Sequence, residues 1–167
     1  TLPLPNWPEP CGVPELEQVI AKWPDLKSIQ LEVKTADKAI LERIGRGLAT
    51  LIDRFTLLNN AVVTSSDQNL LSIMHRIAPQ VRRGFVAERF TRDPLEVCLN
   101  HHCSHLVINH HRCTPGMIDA AHDLGLKVST WTVNEVNAAR RLQHWGVDSI
   151  ITDVPSLLLK HLHVDAE

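Results

Sequence analysis

The chain has 167 residues, of which 44% are hydrophobic and 22% charged, and a formal net charge of -2 at pH 7. That composition suits one folded domain with a real core and excludes a disordered or fibrous chain. The near-neutral balance gives no reason to expect nucleic acid or an anionic membrane as the main partner, so the expected ligand is small. Four cysteines, Cys11, Cys98, Cys103 and Cys113, are too sparse for a disulfide scaffold, and no apolar run approaches the roughly 20 residues of a membrane span. A reducing, cytoplasmic setting is the default expectation. Thr1 is not an initiator methionine, so an upstream segment would have left no trace.

Helices and strands alternate along the chain. The first helix is expected over residues 14–23, with Pro14 in its first turn and Leu16, Val19, Ile20 and Trp23 on one face. A strand follows over 28–33. A longer helix over 37–54 carries a stripe of Leu41, Ile44, Leu48 and Leu51, and 61–64 is the second strand. Asp67 is a suitable N-cap for a helix bearing Leu70, Leu71, Met74 and Ile77 that stops before Pro79. Strand three spans 84–87, a helix spans 94–100, and strand four spans 105–108.

In the second half Thr114 caps and Pro115 opens a helix that ends at Gly125, and strand five covers 127–133. Asn134 is read as the cap of the next helix, which ends at Gly146; strand six covers 149–152, and Pro155 opens a terminal helix with Asp153 as its cap. Leu124-Gly125-Leu126-Lys127-Val128 and Trp145-Gly146-Val147-Asp148-Ser149-Ile150 repeat one pattern: a helix stop, a left-handed glycine and a new strand. Repetition of that unit predicts a parallel sheet in a single domain over residues 1–167.

Repeated βα units build either an open doubly wound sheet or a closed barrel. No phosphate-cradling glycine fingerprint follows any strand, which favours the barrel. About six strands are present, where a (β/α)8 barrel needs eight and typically about 250 residues. Leu31-Glu32-Val33-Lys34 places an acid and a base on one face at the end of a strand, because side chains two apart point the same way. A charge pair turned inward at that position marks a candidate site. Trp131, near the end of strand five beside polar Thr132, is a candidate wall of the same cavity.

These segments, in this order, resemble the glycerophosphodiester phosphodiesterase family. The likeness rests on Val13-Pro14-Glu15-Leu16-Glu17-Gln18-Val19, Leu31-Glu32-Val33-Lys34, Val62-Val63-Thr64-Ser65-Ser66-Asp67, Ala121-His122-Asp123-Leu124-Gly125-Leu126-Lys127-Val128, Trp131-Thr132-Val133-Asn134, and Gly146-Val147-Asp148 through Thr152-Asp153-Val154-Pro155. The resemblance implies a TIM-type (β/α)8 barrel of which this chain carries about six of eight units, the carboxyl-terminal two-thirds. It further implies hydrolysis of glycerophosphodiesters to glycerol 3-phosphate and an alcohol, assisted by a divalent cation, magnesium or calcium. By position Glu32 is one carboxylate ligand of the cation, Lys34 contacts the phosphate, and Trp131 lines the pocket against the glycerol or the leaving group. A hard cation takes oxygen ligands, and a lysine beside it adds positive charge where negative charge grows.

The family's two acid and base histidines and its other carboxylate ligands lie in His-Arg-Gly, Glu-x-Asp and His-Asp motifs of the first two units, and none of these motifs occurs here. This chain therefore supplies no catalytic histidine of that pair, and by itself is expected to be inactive, with an upstream segment completing the site. The family's usual Phe after the serine of strand two is also replaced, in Ser65-Ser66-Asp67. Two other classes of function remain on the same frame: a catalytically empty binding domain, and another phosphate-handling barrel, a lyase or isomerase, with Lys34 as a Schiff-base or electrophilic lysine. Cys98, His101, His102, Cys103, His105, His110, His111 and Cys113 suggest a zinc cluster at first sight. Even partly extended, the residues from Cys103 to Cys113 span roughly 20 Å, too far for one tetrahedral centre. His110 and His111 fall at the carboxyl end of strand four, where His110 is within reach of the site rim as a substrate contact or stand-in acid, and a plain surface role is preferred for it.

Overall fold

The structure, a computed structural model, describes residues 14–22 and 27–162. Val13, Cys11 and Trp23 lie outside the described residues. In chain order the elements are α1 (Leu16–Lys22), β1 (Ile29–Glu32), α2 (Lys38–Arg54), β2 (Ala61–Ser65), α3 (Gln68–Ile77), β3 (Arg82–Ala87), α4 (Pro94–Asn100), β4 (His105–Asn109), α5 (Pro115–Asp123), β5 (Lys127–Trp131), α6 (Val136–His144), β6 (Ser149–Ile150) and α7 (Pro155–His161). None of the described helices is long and apolar enough to cross a membrane.

All six strands are parallel and pair in sequence order from β1 to β6. The sheet is curled. Gln30 on β1 donates from Nε2 to Ser129 Oγ on β5 at 2.8 Å, and Ser149 on β6 donates to the same oxygen at 2.7 Å. On a flat sheet strands four places apart stand roughly 19 Å from each other, out of reach of any side-chain bond. The sheet is therefore the greater part of a barrel wall, with its helices outside, as expected for a partial TIM-type barrel.

Alternation along each strand divides the side chains between two layers. Leu31, Val63, Phe85, Leu106, Ile108 and Val128 face the helices and are buried. They feed two adjoining cores, one under α1 to α3 and one under α4 to α7. Gly125 (φ 73°) and Gly146 (φ 88°) take the left-handed conformation that ends α5 and α6, which L-residues with a Cβ adopt at a cost. Asp67, Asp93 and Thr114 cap α3, α4 and α5 through side-chain oxygens.

The inward layer contains a tight row. Pairing aligns Glu32, Thr64, Gly84, His105 and Lys127 across five strands. A Cβ at Gly84 would lie 3.0 Å from both His105 Cβ and Thr64 Cγ2. Gly84→Ala is expected to lower the unfolding free energy by about 1–3 kcal/mol, read from the denaturant midpoint, because both neighbours sit on strands that cannot give way.

His105 in this row is buried, and burial, reinforced by the charges of Arg82 and Lys127, pulls its imidazole down to about 4. The unfolded chain titrates this group near 6.5. The neutral histidine thus contributes fully above pH 6.5, and that contribution drains away as pH falls from 6.5 to 4, where the unfolded state takes up the proton first. Unfolding measured across this window should show a loss of order 2–3 kcal/mol that His105→Gln flattens.

Candidate active site

The carboxyl ends of the strands carry the site. Glu32 closes β1 and faces inward with Gln30, and Val33 continues the ladder by donating from its amide to Thr64 O at 2.9 Å. Lys34, two residues after Glu32, returns to the same side, and its Nζ donates to Glu32 Oε1 at 2.5 Å. The Lys34 side chain is 81% exposed and that of Glu32 44%, so the pair stands at the mouth and is open to a ligand.

The turn that presents Lys34 is held from β2 and the loop after it. Ser65 Oγ donates to Val33 O at 2.7 Å, and Thr35 Oγ1 donates to Asp67 Oδ2 at 2.5 Å. Asp67 also accepts from the amide of Asn69 at 2.9 Å to cap α3. The Thr35 hydroxyl, aided by these amides, holds the Asp67 carboxyl below its usual range. A residue read only as a helix cap is thus also a clamp on the β1 loop.

The opposite wall is Trp131, the last residue of β5. Its carbonyl accepts from the His110 amide at 3.0 Å, and the His110 ring Nδ1 lies 3.3 Å from the same oxygen. His110, its ring 3.9 Å from that of His111, braces the backbone behind Trp131 and does not line the cavity. Asn134 does not cap α6, whose N-cap is Glu135, without a side-chain bond. Asn134 Oδ1 accepts instead from Thr152 Oγ1 (3.1 Å) and the Asp153 amide (3.0 Å), while its Nδ2 donates to Asp153 Oδ2 at 2.9 Å. Asp153 in turn does not cap α7, whose N-cap is Val154. These two polar residues satisfy each other across the loops after β5 and β6, which leaves neither free for its own helix.

Between the walls lies a cavity of about 710 Å³, and Glu32, Lys34 and Trp131 all line it. Thr64, Ser66 and Glu88 line it too and were not anticipated from the sequence. Glu88 follows β3 directly, and continuing the inward alternation of Gly84 and Val86 by one more step arrives at it. His101, His102 and Cys103 sit at the far end of β4, away from this cavity. Among the described residues no three His, Cys, Asp or Glu side chains converge closely enough to hold a metal ion. The carboxylates present are hard oxygen donors of the right type, but they do not form a metal centre by themselves.

With this geometry the chain is similar to known proteins over nearly its whole length. The model of the glycerophosphoryl diester phosphodiesterase family matches residues 3–157. YhdW of Bacillus subtilis is 25% identical over 154 residues, covering 89% of this chain and 61% of that protein. The solved glycerophosphodiester phosphodiesterase of Parabacteroides distasonis superposes with a TM-score of 0.78 at 21% identity, over 92% of this chain and 66% of that one. A phosphodiesterase of Oleispira antarctica, solved in complex with the product sn-glycerol-3-phosphate, gives 0.74 at 17% identity, over 86% of this chain and 57% of that one. The chain spans somewhat over half the length of the relatives it matches.

Proposed function

Since this chain belongs to the glycerophosphoryl diester phosphodiesterase family, we propose that it forms one wall of an active site that hydrolyses glycerophosphodiesters to glycerol 3-phosphate and an alcohol. The observation that carries this reading is the convergence of Glu32, Lys34 and Trp131 on one cavity at the carboxyl edge of the sheet, the edge where barrel enzymes of this type work. The product found in the Oleispira antarctica phosphodiesterase supports a glycerol phosphate as the ligand.

Lys34 binds a non-bridging phosphate oxygen and offsets the charge that grows there as the diester is attacked. Its amine is engaged as donor to the Glu32 carboxylate, which suits a phosphate contact and disfavours a Schiff-base lysine, because that chemistry needs a free amine. Trp131 packs against the glycerol or the leaving alcohol. A divalent cation, magnesium or calcium, would supply further neutralisation when bound, and Glu32 is offered as one of its oxygen ligands. On this reading the remaining carboxylates and the acid and base histidines of the family's site would have to come from outside these 167 residues.

The test is release of glycerol 3-phosphate from a glycerophosphodiester by the whole polypeptide that carries this chain, with and without a chelator. Release that chelation abolishes is the expected result. A folded polypeptide that binds the diester and never cleaves it would replace this reading with that of a binding domain.

A further inference from the structure

Two cysteines meet where α4 stops. His101 is the C-cap of that helix and His102 has the left-handed φ of 51°; the His102 amide donates to Leu99 O at 3.1 Å, and the Cys103 amide donates to Cys98 O at 2.8 Å. These two bonds make the Schellman ending of a helix, in which the residues joined by the longer loop bring their side chains into contact, ordinarily as an apolar pair. Here both are cysteines. Cys98 is fully buried in the core under α4 to α7, and Cys103, partly exposed and also a free thiol, packs against the same core. Standard bond lengths on either side of the 2.8 Å contact keep the two Cα atoms within about 6.7 Å, inside the roughly 4.4–6.8 Å that a disulfide spans.

The two thiols differ in readiness. Arg83 donates to the carbonyls of His101 at 3.4 Å and His102 at 3.0 Å, which sets its guanidinium beside Cys103. The Cys98 thiol, with the Arg83 charge, pulls the Cys103 thiol below its ordinary value against the opposing effect of burial. Cys98 is pushed up, first by Cys103 and then by burial. Cys103 is thus the nucleophile. Once its sulfur is capped, its charge no longer opposes ionisation of Cys98, and burial is the obstacle that remains. Neither thiol lines the cavity, and neither enters the chemistry proposed there.

We infer that Cys98 and Cys103 are a redox pair that closes to a disulfide by exchange with a small disulfide such as oxidised glutathione, bolting the last turn of α4 to the entry of β4. The Cys103 thiolate attacks one sulfur of the glutathione disulfide and expels a glutathione thiolate, which takes up a proton. Cys98 then gives up its proton, attacks the Cys103 sulfur of the mixed disulfide and expels the second glutathione. Two cysteines are oxidised while one glutathione disulfide is reduced to two glutathiones. The bond restricts the unfolded chain more than the native one, whose helix ending already holds the two residues together.

The experiment exposes the whole polypeptide that carries this chain to oxidised glutathione, unfolds and alkylates it with N-ethylmaleimide, and maps tryptic peptides without reductant. Both cysteines fall in the peptide Asp93–Arg112, so closure is read as that peptide without alkyl groups, lighter by two hydrogens, and restored by dithiothreitol. Cys98→Ala should stop at a glutathione adduct on Cys103, and Cys103→Ala should leave Cys98 unmodified. The urea midpoint should be higher after oxidation than after reduction, a difference that vanishes in Cys103→Ala. Alkylation of both cysteines, a glutathione adduct that persists on Cys103 of the wild type, or a disulfide from either to another cysteine would each overturn the pair. A disulfide that forms and leaves the midpoint unmoved or lower would overturn the bolt. The wild-type map decides the pairing even where a variant does not fold.

Discussion

Glu32→Gln in the whole polypeptide should reduce hydrolysis of a glycerophosphodiester at least about 100-fold while leaving the unfolding free energy within about 1 kcal/mol of the parent. The two halves of that expectation come from different physics. The Lys34–Glu32 pair is solvent-exposed at 81% and 44%, and ion pairs of that kind contribute little to folding because water screens them and two long side chains must be held in place. Under the proposed function the same carboxylate would do two things: orient the Lys34 ammonium toward the phosphate, and offer an anionic oxygen to a cation. The amide of glutamine keeps the shape and loses both. Parallel measurement of turnover and of the urea midpoint separates the roles. A loss of stability matching the loss of turnover would make the pair a structural neutralisation inside a barrel wall, and unimpaired turnover would remove Glu32 from the site altogether.

Arg83 should show the opposite profile. It is 5% exposed at the amino end of β3, and its guanidinium reaches four main-chain carbonyls: Val81 at 2.8 Å, His102 at 3.0 Å, Pro79 at 3.1 Å and His101 at 3.4 Å. No carboxylate pairs with it among the described residues, and burial lowers its affinity for the proton without discharging it. The dipoles of those carbonyls take the place of a counter-ion. One of them belongs to His102, which has a left-handed φ of 51° that a residue with a Cβ adopts only when its surroundings impose it. Arg83→Met fills the space and leaves the carbonyls without a donor, so a loss of about 2–4 kcal/mol is expected in denaturant unfolding. Arg83→Lys should recover only part of it, because an ammonium lacks the planar fork that spans carbonyls on both sides. In the whole polypeptide at a temperature where the variant stays folded, turnover should be retained, since this end of the barrel is remote from the cavity.

Local signals were legible wherever a residue's partners lie within a turn of it. Thr114 with Pro115, Asp67 before α3, and the glycines at 125 and 146 do what their chemistry predicts, because cap bonds and left-handed backbone depend only on neighbours. The partial barrel and the Glu32, Lys34 and Trp131 triad around one cavity follow from alternation and from the order of motifs. What stayed hidden depends on partners far along the chain. Asn134 and Asp153 look like caps, yet each is 19 residues from the group it bonds. Ile44 and Leu51 of the expected α2 stripe pack against the core partly buried, while the fully buried line runs through Leu41, Gly45, Leu48 and Ile52, because the helix turns Gly45 toward Ile73 and Ile77 of α3. No periodicity in α2 contains that, since it is set by the surface α3 offers. Strand six is shorter than its apolar run, Ser149–Ile150, as an outer strand with a single paired neighbour. Glu88 escaped notice because it stands one residue past the end of a strand, where alternation is no longer a sequence signal but still governs direction.

The bonds joining Asn134 with Thr152 and Asp153 have a consequence for how the mouth accommodates ligands of different bulk. Together with the amides of Val133 to Ile151 O at 2.9 Å and Ile151 to Thr130 O at 2.8 Å, they fuse two neighbouring loops into one stiff lip behind Trp131. Widening that rim means breaking several of these links at once. The rim around Lys34 rests on fewer ties, two at Val33 and one from Thr35, so a ligand that needs a wider mouth would find the give on that flank while the indole stays put as a fixed reference surface.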